Sequence, residues 1–227
     1  MCIRDRQYAD ILKQAQAKNL LDRDAQQVAR VRAISQRLIA QAGVFRPDAS
    51  GWKWEVHVLT SDEINAWCMP GGKIAVYTGL INKIKPSDDE LAAVLGHEIS
   101  HALREHARER VSQQMATNLG LQVLSIATGS SAASDLGGQL TSVMFTLPNS
   151  RTHETEADRM GVELAARAGF DPRAAVTLWQ KMGAADSGNA PPEILSTHPS
   201  AASRITDLQA AAQQVLPLYE QLSLIHI

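Results

Sequence analysis

The sequence predicts an α+β domain that is mostly helical and carries a small antiparallel sheet. Three observations point there. Apolar residues recur at helical spacing on either side of residues 52–78, alternation is confined to that short span, and a capping box at Ser87 to Glu90 opens an apolar-backed helix. A chain of 227 residues, 44% of them hydrophobic, is long enough to bury a sizeable core.

Residues 7–20 and 24–42 read as helices, the second with Val28, Val31, Leu38 and Ile39 at helical spacing, until Gly43 and Pro47 to Gly51 break the pattern. Trp52 to Leu59 alternates, with Trp52, Trp54, Val56 and Val58 on one face of a half-buried strand. Ala66 to Met69, Pro70-Gly71-Gly72 and Lys73 to Thr78 read as strand, turn, strand. Ser87-Asp88-Asp89-Glu90 starts a long helix near residue 88. Its acidic first turn and the later Arg104, Arg108 and Arg110 complement the helix dipole. Arg151 to Ala168 reads as a further helix closed by Gly169, and Asp171-Pro172 supplies an N-cap and a first-turn proline for the next. A last helix is expected from about Pro199 to Val215, before Pro217.

Residues 111–150 differ from the rest. Asp135 is the single charged residue there, and Gly120, Gly129, Gly137 and Gly138 interrupt apolar stretches too polar to span a membrane. They read as a helix and a surface loop, or as a lid or membrane-facing helix beside a functional site.

The formal net charge of -2 gives no electrostatic reason to expect nucleic acid, and 4% aromatic residues leave little for base stacking. The ends look foreign. Met-Cys-Ile-Arg-Asp-Arg at residues 1–6 and Leu-Ser-Leu-Ile-His-Ile at 222–227 can be encoded by DNA stretches that are reverse complements of each other. No physical need makes the two ends of a protein so related. Both hexamers are therefore read as a translated sequencing-library adapter, leaving 7–221 as one native domain. On that reading a signal peptide has been lost by truncation, Cys68 is the sole native cysteine, and no internal disulfide forms.

The chemistry concentrates in His97-Glu98-Ile99-Ser100-His101. Residues four apart share a helical face, so both imidazoles reach one metal ion while Glu98 is placed to take a proton from water. Leu91, Val94, Leu95, Ile99, Ala102 and Leu103 back this helix. A catalytic zinc needs a third protein ligand and an open position. Glu154 fits as that ligand, and Asp158, four residues on, fits as acceptor of the spare N–H of a ligand histidine.

Asn65-Ala66-Trp67 with Pro70-Gly71-Gly72, His97 to His101 followed by Arg104-Glu105-His106, Ser150-Arg151 leading to Glu154, Glu156, Ala157 and Asp158, and Ser196-Thr197-His198-Pro199 occur in that order. This resembles the gluzincin zinc metallopeptidases of the HtpX and CaaX-prenyl-protease type, in particular their soluble periplasmic branch of BepA-like and LoiP-like proteases. The resemblance covers about residues 24–212. It implies one zinc ion per chain on His97, His101 and Glu154, Glu98 as catalytic base, Asp158 behind a ligand, and His198 close to the metal, assisting the oxyanion or latching the site. It also implies that Asn65, Ala66 and Trp67 form an edge strand pairing with protein or peptide substrates in extended conformation.

The function this implies is an endopeptidase for unfolded or misassembled proteins in envelope quality control, periplasmic or associated with the membrane from the envelope side. Peripheral-membrane or outer-membrane assembly partners fit that setting. A chaperone-like assembly factor that binds extended segments and seldom cleaves shares every ligand, and a structural zinc protein would recruit His198 as a fourth. Other residues take plainer readings. His106, five positions from His101, makes a surface or inter-helix contact, and His153 is structural or solvent-facing. His57 is exposed, Trp52, Trp54 and Trp179 are core, and Cys68 is a partly buried spectator thiol.

Overall fold

The computed structural model describes residues 3–115, 149–185, 193–198 and 203–225. Helix α1 (Ile3–Ala17) precedes α2 (Ala25–Phe45), and strands β1 (Glu55–Leu59), β2 (Ala66–Met69) and β3 (Lys73–Tyr77) follow. Then come α3 (Asp88–Leu103), α4 (residues 106–115), α5 (Arg151–Arg167), α6 (Ala174–Ala185), the short α7 (Glu193–Thr197) and α8 (Arg204–Ile225). Residues 116–148, most of the segment read as a loop or lid, lie outside the described residues.

Local signals explain several boundaries. Asp24 caps α2 by accepting from the N–H groups of Gln26 and Gln27. The capping box of α3 forms as expected: the Ser87 hydroxyl accepts from Glu90 N–H, and the Glu90 carboxylate accepts from Ser87 N–H. Glu90 is further held by Lys181 at 2.6 Å and Thr177 at 2.8 Å, so the cap also ties α3 to α6. Between β2 and β3, Gly72 N–H donates to the Met69 carbonyl, with Pro70 and Gly71 as the central residues and Gly71 at φ 88. That is a proline-glycine turn whose second position demands positive φ.

The sheet is mixed, where an antiparallel one was expected. Its order is β1-β3-β2: β2 and β3 pair antiparallel as a hairpin, whereas β1 runs parallel to β3 from Glu55↔Lys73 to Leu59↔Tyr77. The connection after β1 carries the chain past β3, so sequence neighbours β1 and β2 are not sheet neighbours. The first strand is also shorter than its alternation suggested. Trp52 and Trp54 precede it, their rings 5.3 Å apart and packed against the core rim, with Trp54 Nε1–H donating to the Ala49 carbonyl at 2.9 Å. His57, expected to be exposed, is half-buried with Nδ1 2.7 Å from Asp22 Oδ2.

Helix α3 runs through the centre, buried from Glu90 to Leu103 and packed by α2, α5, α6 and β2. Fully buried Leu91, Leu95 and Ile99 meet Leu38 of α2, Leu164 of α5 and Leu178 of α6 in one core, each worth about 1.5–3 kcal/mol of burial. Two termini depart from expectation. Helix α1 starts at Ile3, within the first hexamer, and α8 runs through Pro217 to Ile225, within the last. Pro217 removes the N–H that would bond the Gln213 carbonyl, but both residues are exposed and water can serve that carbonyl. Among the described residues no helix is long and apolar enough to cross a membrane.

Candidate metal centre

Helix α3 puts His97, Glu98 and His101 on the side facing α5, and α5 returns Glu154 and Asp158 one turn apart. The crossing is close because Gly96 and Gly161 lie against each other. Just after α7, His198 enters from a third direction, held by its own N–H to the Ile194 carbonyl at 2.9 Å and by Asn149, whose Nδ2 lies 3.3 Å from His198 Nδ1.

One ligand atom each from His97, His101, Glu154 and His198 lie within 4.8 Å of one another, all four residues buried. His97 Nε2 is 3.0 Å from His101 Nε2 and 3.1 Å from His198 Nδ1, and Glu154 Oε1 is 3.3 Å from His101 Nε2 and 2.9 Å from His198 Nδ1. A tetrahedral zinc with bonds near 2.05 Å separates its ligand atoms by about 3.3 Å, so these donors fit that ion. A second observation agrees. Glu98 Oε1 is buried without a hydrogen-bond donor among the described residues, the nearest charged partner being His198 Nε2 at 3.4 Å.

Both α3 histidines turn Nε2 inward, with a carboxylate beside Nδ1 of His97 and an imidazole hydrogen-bonded at Nδ1 of His101. His97 Nδ1 lies 2.9 Å from Asp158 Oδ1, and His101 Nδ1 lies 2.8 Å from His106 Nδ1. Burial pushes the His101 imidazole well below its usual range. Burial likewise raises the Glu98 carboxyl, against the pull of His198 and His97. For Glu154 burial alone would raise the group, but hydrogen bonds from His101 and His198 hold it far below the carboxylate range. His198 is lowered by burial yet ends above its usual range because Glu98 and Glu154 flank it.

The family model described as Peptidase family M48 matches residues 25–212, most of the chain. The chain belongs to peptidase family M48. This M48 chain is 39% identical over 189 residues to the mitochondrial metalloendopeptidase OMA1 of Arabidopsis thaliana, covering 82% of this chain and 38% of that protein. It is 37% identical over 212 residues to the Bos taurus metalloendopeptidase OMA1, covering 88% and 40%. With the β-barrel assembly-enhancing protease of Escherichia coli K12 it shares 32% over 206 residues, covering 85% and 40%. The chain thus spans well under half the length of these relatives.

The M48 chain brings together every residue singled out for metal chemistry: His97, Glu98, His101, Glu154, Asp158 and His198. Asn65, Ala66 and Trp67 line the cleft in front of Glu98 and His101, and β2 is an edge of the sheet. The Trp67 ring, however, meets Tyr8 of α1 edge-on at 6.3 Å, so that side chain is engaged by α1. Cys68 lines the same cleft, and burial pushes its thiol up.

Two residues escaped the sequence reading. Buried Arg204 lies 3.1 Å from Glu154 Oε2 and 2.7 Å from Asp158 Oδ1, with its guanidinium 3.4 Å over Trp179, whose ring also abuts His97. Nothing local marks it, since its partners are far away in the chain. His106 does make an inter-helix contact, but it also reaches His101 of the donor cluster. The five-residue offset would face it away on a continuous helix. Instead α3 ends at Leu103 and Glu105 takes a left-handed φ of 57, which folds His106 back onto His101. His153 is structural: it stacks on His106 at 4.3 Å and pairs with Glu109.

Proposed function

We propose that this chain is a zinc-dependent endopeptidase domain, with His97, His101 and Glu154 holding the ion and Glu98 as the base. The convergence of four buried donors beside an orphaned carboxylate, in a cleft bordered by an edge strand, carries this reading. When bound, zinc supplies Lewis acidity that lets a water lose its proton near neutral pH. Glu98 takes that proton, its basicity raised by burial, and passes it to the leaving amine. The Asp158 carboxylate, 2.9 Å from His97 Nδ1, would favour the tautomer that leaves Nε2 free for the ion. His198 stands where it either supports the developing oxyanion or occupies the open position as a latch.

Substrate pairs as an extended strand along Ala66 and Trp67 of β2 and Asn65 just before it, a mode in which backbone hydrogen bonds supply affinity. Unfolded or misassembled proteins are the substrates that offer such strands. The Escherichia coli relative, named for β-barrel assembly, supports a place in envelope quality control with outer-membrane assembly partners, periplasmic or at the membrane. Mitochondrial relatives extend the comparison to another membrane-bounded compartment. The two terminal hexamers are adapter-derived, and residues 7–221 belong to one metallopeptidase domain.

Zinc content and turnover of unfolded casein test the reading together. Wild type should bind one zinc and cleave, and His97→Ala, His101→Ala or Glu154→Ala should lose stable zinc. Glu98→Gln should keep fold and zinc while hydrolysis drops by several orders of magnitude. Cleavage by Glu98→Gln at a comparable rate would remove Glu98 as base, and full zinc on Glu154→Ala would move the third ligand elsewhere.

A further inference from the structure

The two α3 histidines are supported differently. Behind His97 stands a carboxylate, Asp158. Behind His101 stands another imidazole: His106 Nδ1 lies 2.8 Å from His101 Nδ1, and His106 Nε2 lies 3.0 Å from Glu156 Oε2. The second Glu156 oxygen is held by Arg104. His106 is only 1% exposed, and its ring is clamped flat against His153, 4.3 Å away at an interplanar angle of 10°. His153 is itself anchored by Glu109 at 3.1 Å.

A metal ion on His101 Nε2 would fix the direction of each bond in this chain. An imidazole nitrogen that gives its lone pair to a metal leaves the other nitrogen carrying the proton. His101 Nε2 faces the ligand cluster, so His101 Nδ1–H donates and His106 Nδ1 must accept. A neutral imidazole that accepts at Nδ1 carries its hydrogen on Nε2, and that N–H points at Glu156, an acceptor. Arg104 aims Glu156 by holding its other oxygen. With His101 Nε2 given to an ion, a proton on His106 Nδ1 would set two N–H groups against each other.

We propose that His106, backed by Glu156 and Arg104, is a positioning residue that selects the metal-binding tautomer of His101 through an imidazole-to-imidazole hydrogen bond. This rests on the zinc reading above and adds residues that the ligand set does not contain. The left-handed Glu105 is part of the device. Its φ of 57 breaks the helix between the two histidines, and its carboxylate is secured by Arg46 and Arg108, each at 3.1 Å.

The test measures zinc affinity by chelator competition and the visible spectrum of the cobalt-substituted protein, with thermal melting as the check on folding. His106→Leu keeps bulk and removes the acceptor, and should weaken zinc binding about 10- to 100-fold while altering the cobalt spectrum. His106→Asn puts an amide oxygen near the Nδ1 position and should restore most of the affinity. Glu156→Ala, on a partly exposed side chain, should weaken binding in the same direction with the fold intact, and it carries the test if His106→Leu does not fold. Wild-type affinity in both His106→Leu and Glu156→Ala would overturn the proposal. So would equal losses in the Leu and Asn variants, which would make ring shape the cause and not the acceptor. Failure of the wild-type chain to bind zinc or cobalt would sink the zinc reading itself, a different result from binding that ignores these substitutions.

Discussion

Gly96 and Gly161 meet backbone to backbone where α3 crosses α5. A methyl group on Gly96 would lie 2.8 Å from the Gly161 carbonyl oxygen, and one on Gly161 would lie 2.7 Å from the His97 nitrogen. The contact sits beside His97 and one turn from Asp158, so the spacing of the metal-site side chains is set by the absence of two Cβ atoms.

Gly161→Ala should therefore be destabilising although alanine is the better helix former. The propensity gain is about 1 kcal/mol, while overpacking against a rigid backbone costs about 1–3 kcal/mol and displaces Glu154 and Asp158 as well. Denaturant midpoints should fall and zinc affinity should drop with them. Gly43→Ala in α2, where an added Cβ meets nothing within 4 Å, is the control and should be neutral or stabilising. A Gly161→Ala variant with wild-type zinc affinity would show that the crossing tolerates extra space.

How much of this was legible follows from the range of the interactions. His97 and His101 stand four residues apart on one helix with Glu98 next to His97, and Glu154 and Asp158 repeat the four-residue interval, so local periodicity announces both sets. The capping box at Ser87 is equally local. The β1–β3 pairing is not, because strand order depends on which way the chain crosses after Leu59. Pro217 is a local stop signal overridden by exposure of the Gln213 carbonyl it leaves open. The inter-helix contact of His106 is as expected, but its reach to His101 depends on a helix break at Glu105, a residue type that gives no warning of a left-handed φ. Arg204 lies 46 and 50 positions from its carboxylate partners, beyond any periodicity argument.

Arg204 leads to a second prediction. It is 4% exposed and serves two buried carboxylates at once. Removing one member of such a buried set leaves uncompensated charge and costs about 3–5 kcal/mol. Arg204→Met should lower the unfolding midpoint of the metal-free chain strongly and that of the zinc-loaded chain less, because the ion also balances Glu154. Arg204→Lys should rescue only in part, since one ammonium cannot reproduce a fork spanning Glu154 and Asp158. Equal midpoints for Arg204→Met and wild type would mean that the ion pairs contribute nothing to the fold.

A third prediction concerns the terminal hexamers. Both extend helices, α1 from Ile3 and α8 to Ile225, yet among the described side chains of α1 the buried one is Tyr8, beyond the first hexamer, and Arg6 is exposed. Among the described side chains of α8, the buried ones, Arg204, Leu208, Ala211 and Ala212, precede the last hexamer. Deleting residues 1–6 and 222–227 should leave zinc content unchanged and shift the melting temperature by no more than a few degrees, as expected for losses below about 1 kcal/mol. A large drop on removing either end would show that the hexamer is integrated in the packing.

His198 offers the sharpest separation of outcomes. Its Nδ1 lies 3.1 Å from His97 Nε2 and 2.9 Å from Glu154 Oε1, inside the donor cluster, while its Nε2 lies 3.4 Å from Glu98 Oε1. A residue in that place has two ways to act. As a donor to the oxyanion it lowers the barrier, and His198→Ala should reduce turnover by the equivalent of about 2.7–4 kcal/mol, the cost of losing one such donor. As a fourth ligand it fills the position that water needs, and the same substitution should raise turnover because the site opens. The placement of Nδ1 among the ligand atoms favours the latch, so higher specific activity is the expected result for folded, zinc-loaded His198→Ala. Zinc affinity supplies an independent readout: loss of a latch ligand should weaken it, whereas loss of an oxyanion donor should leave it nearly unchanged. Unaltered turnover together with unaltered affinity would reduce His198 to a structural contact at the end of α7.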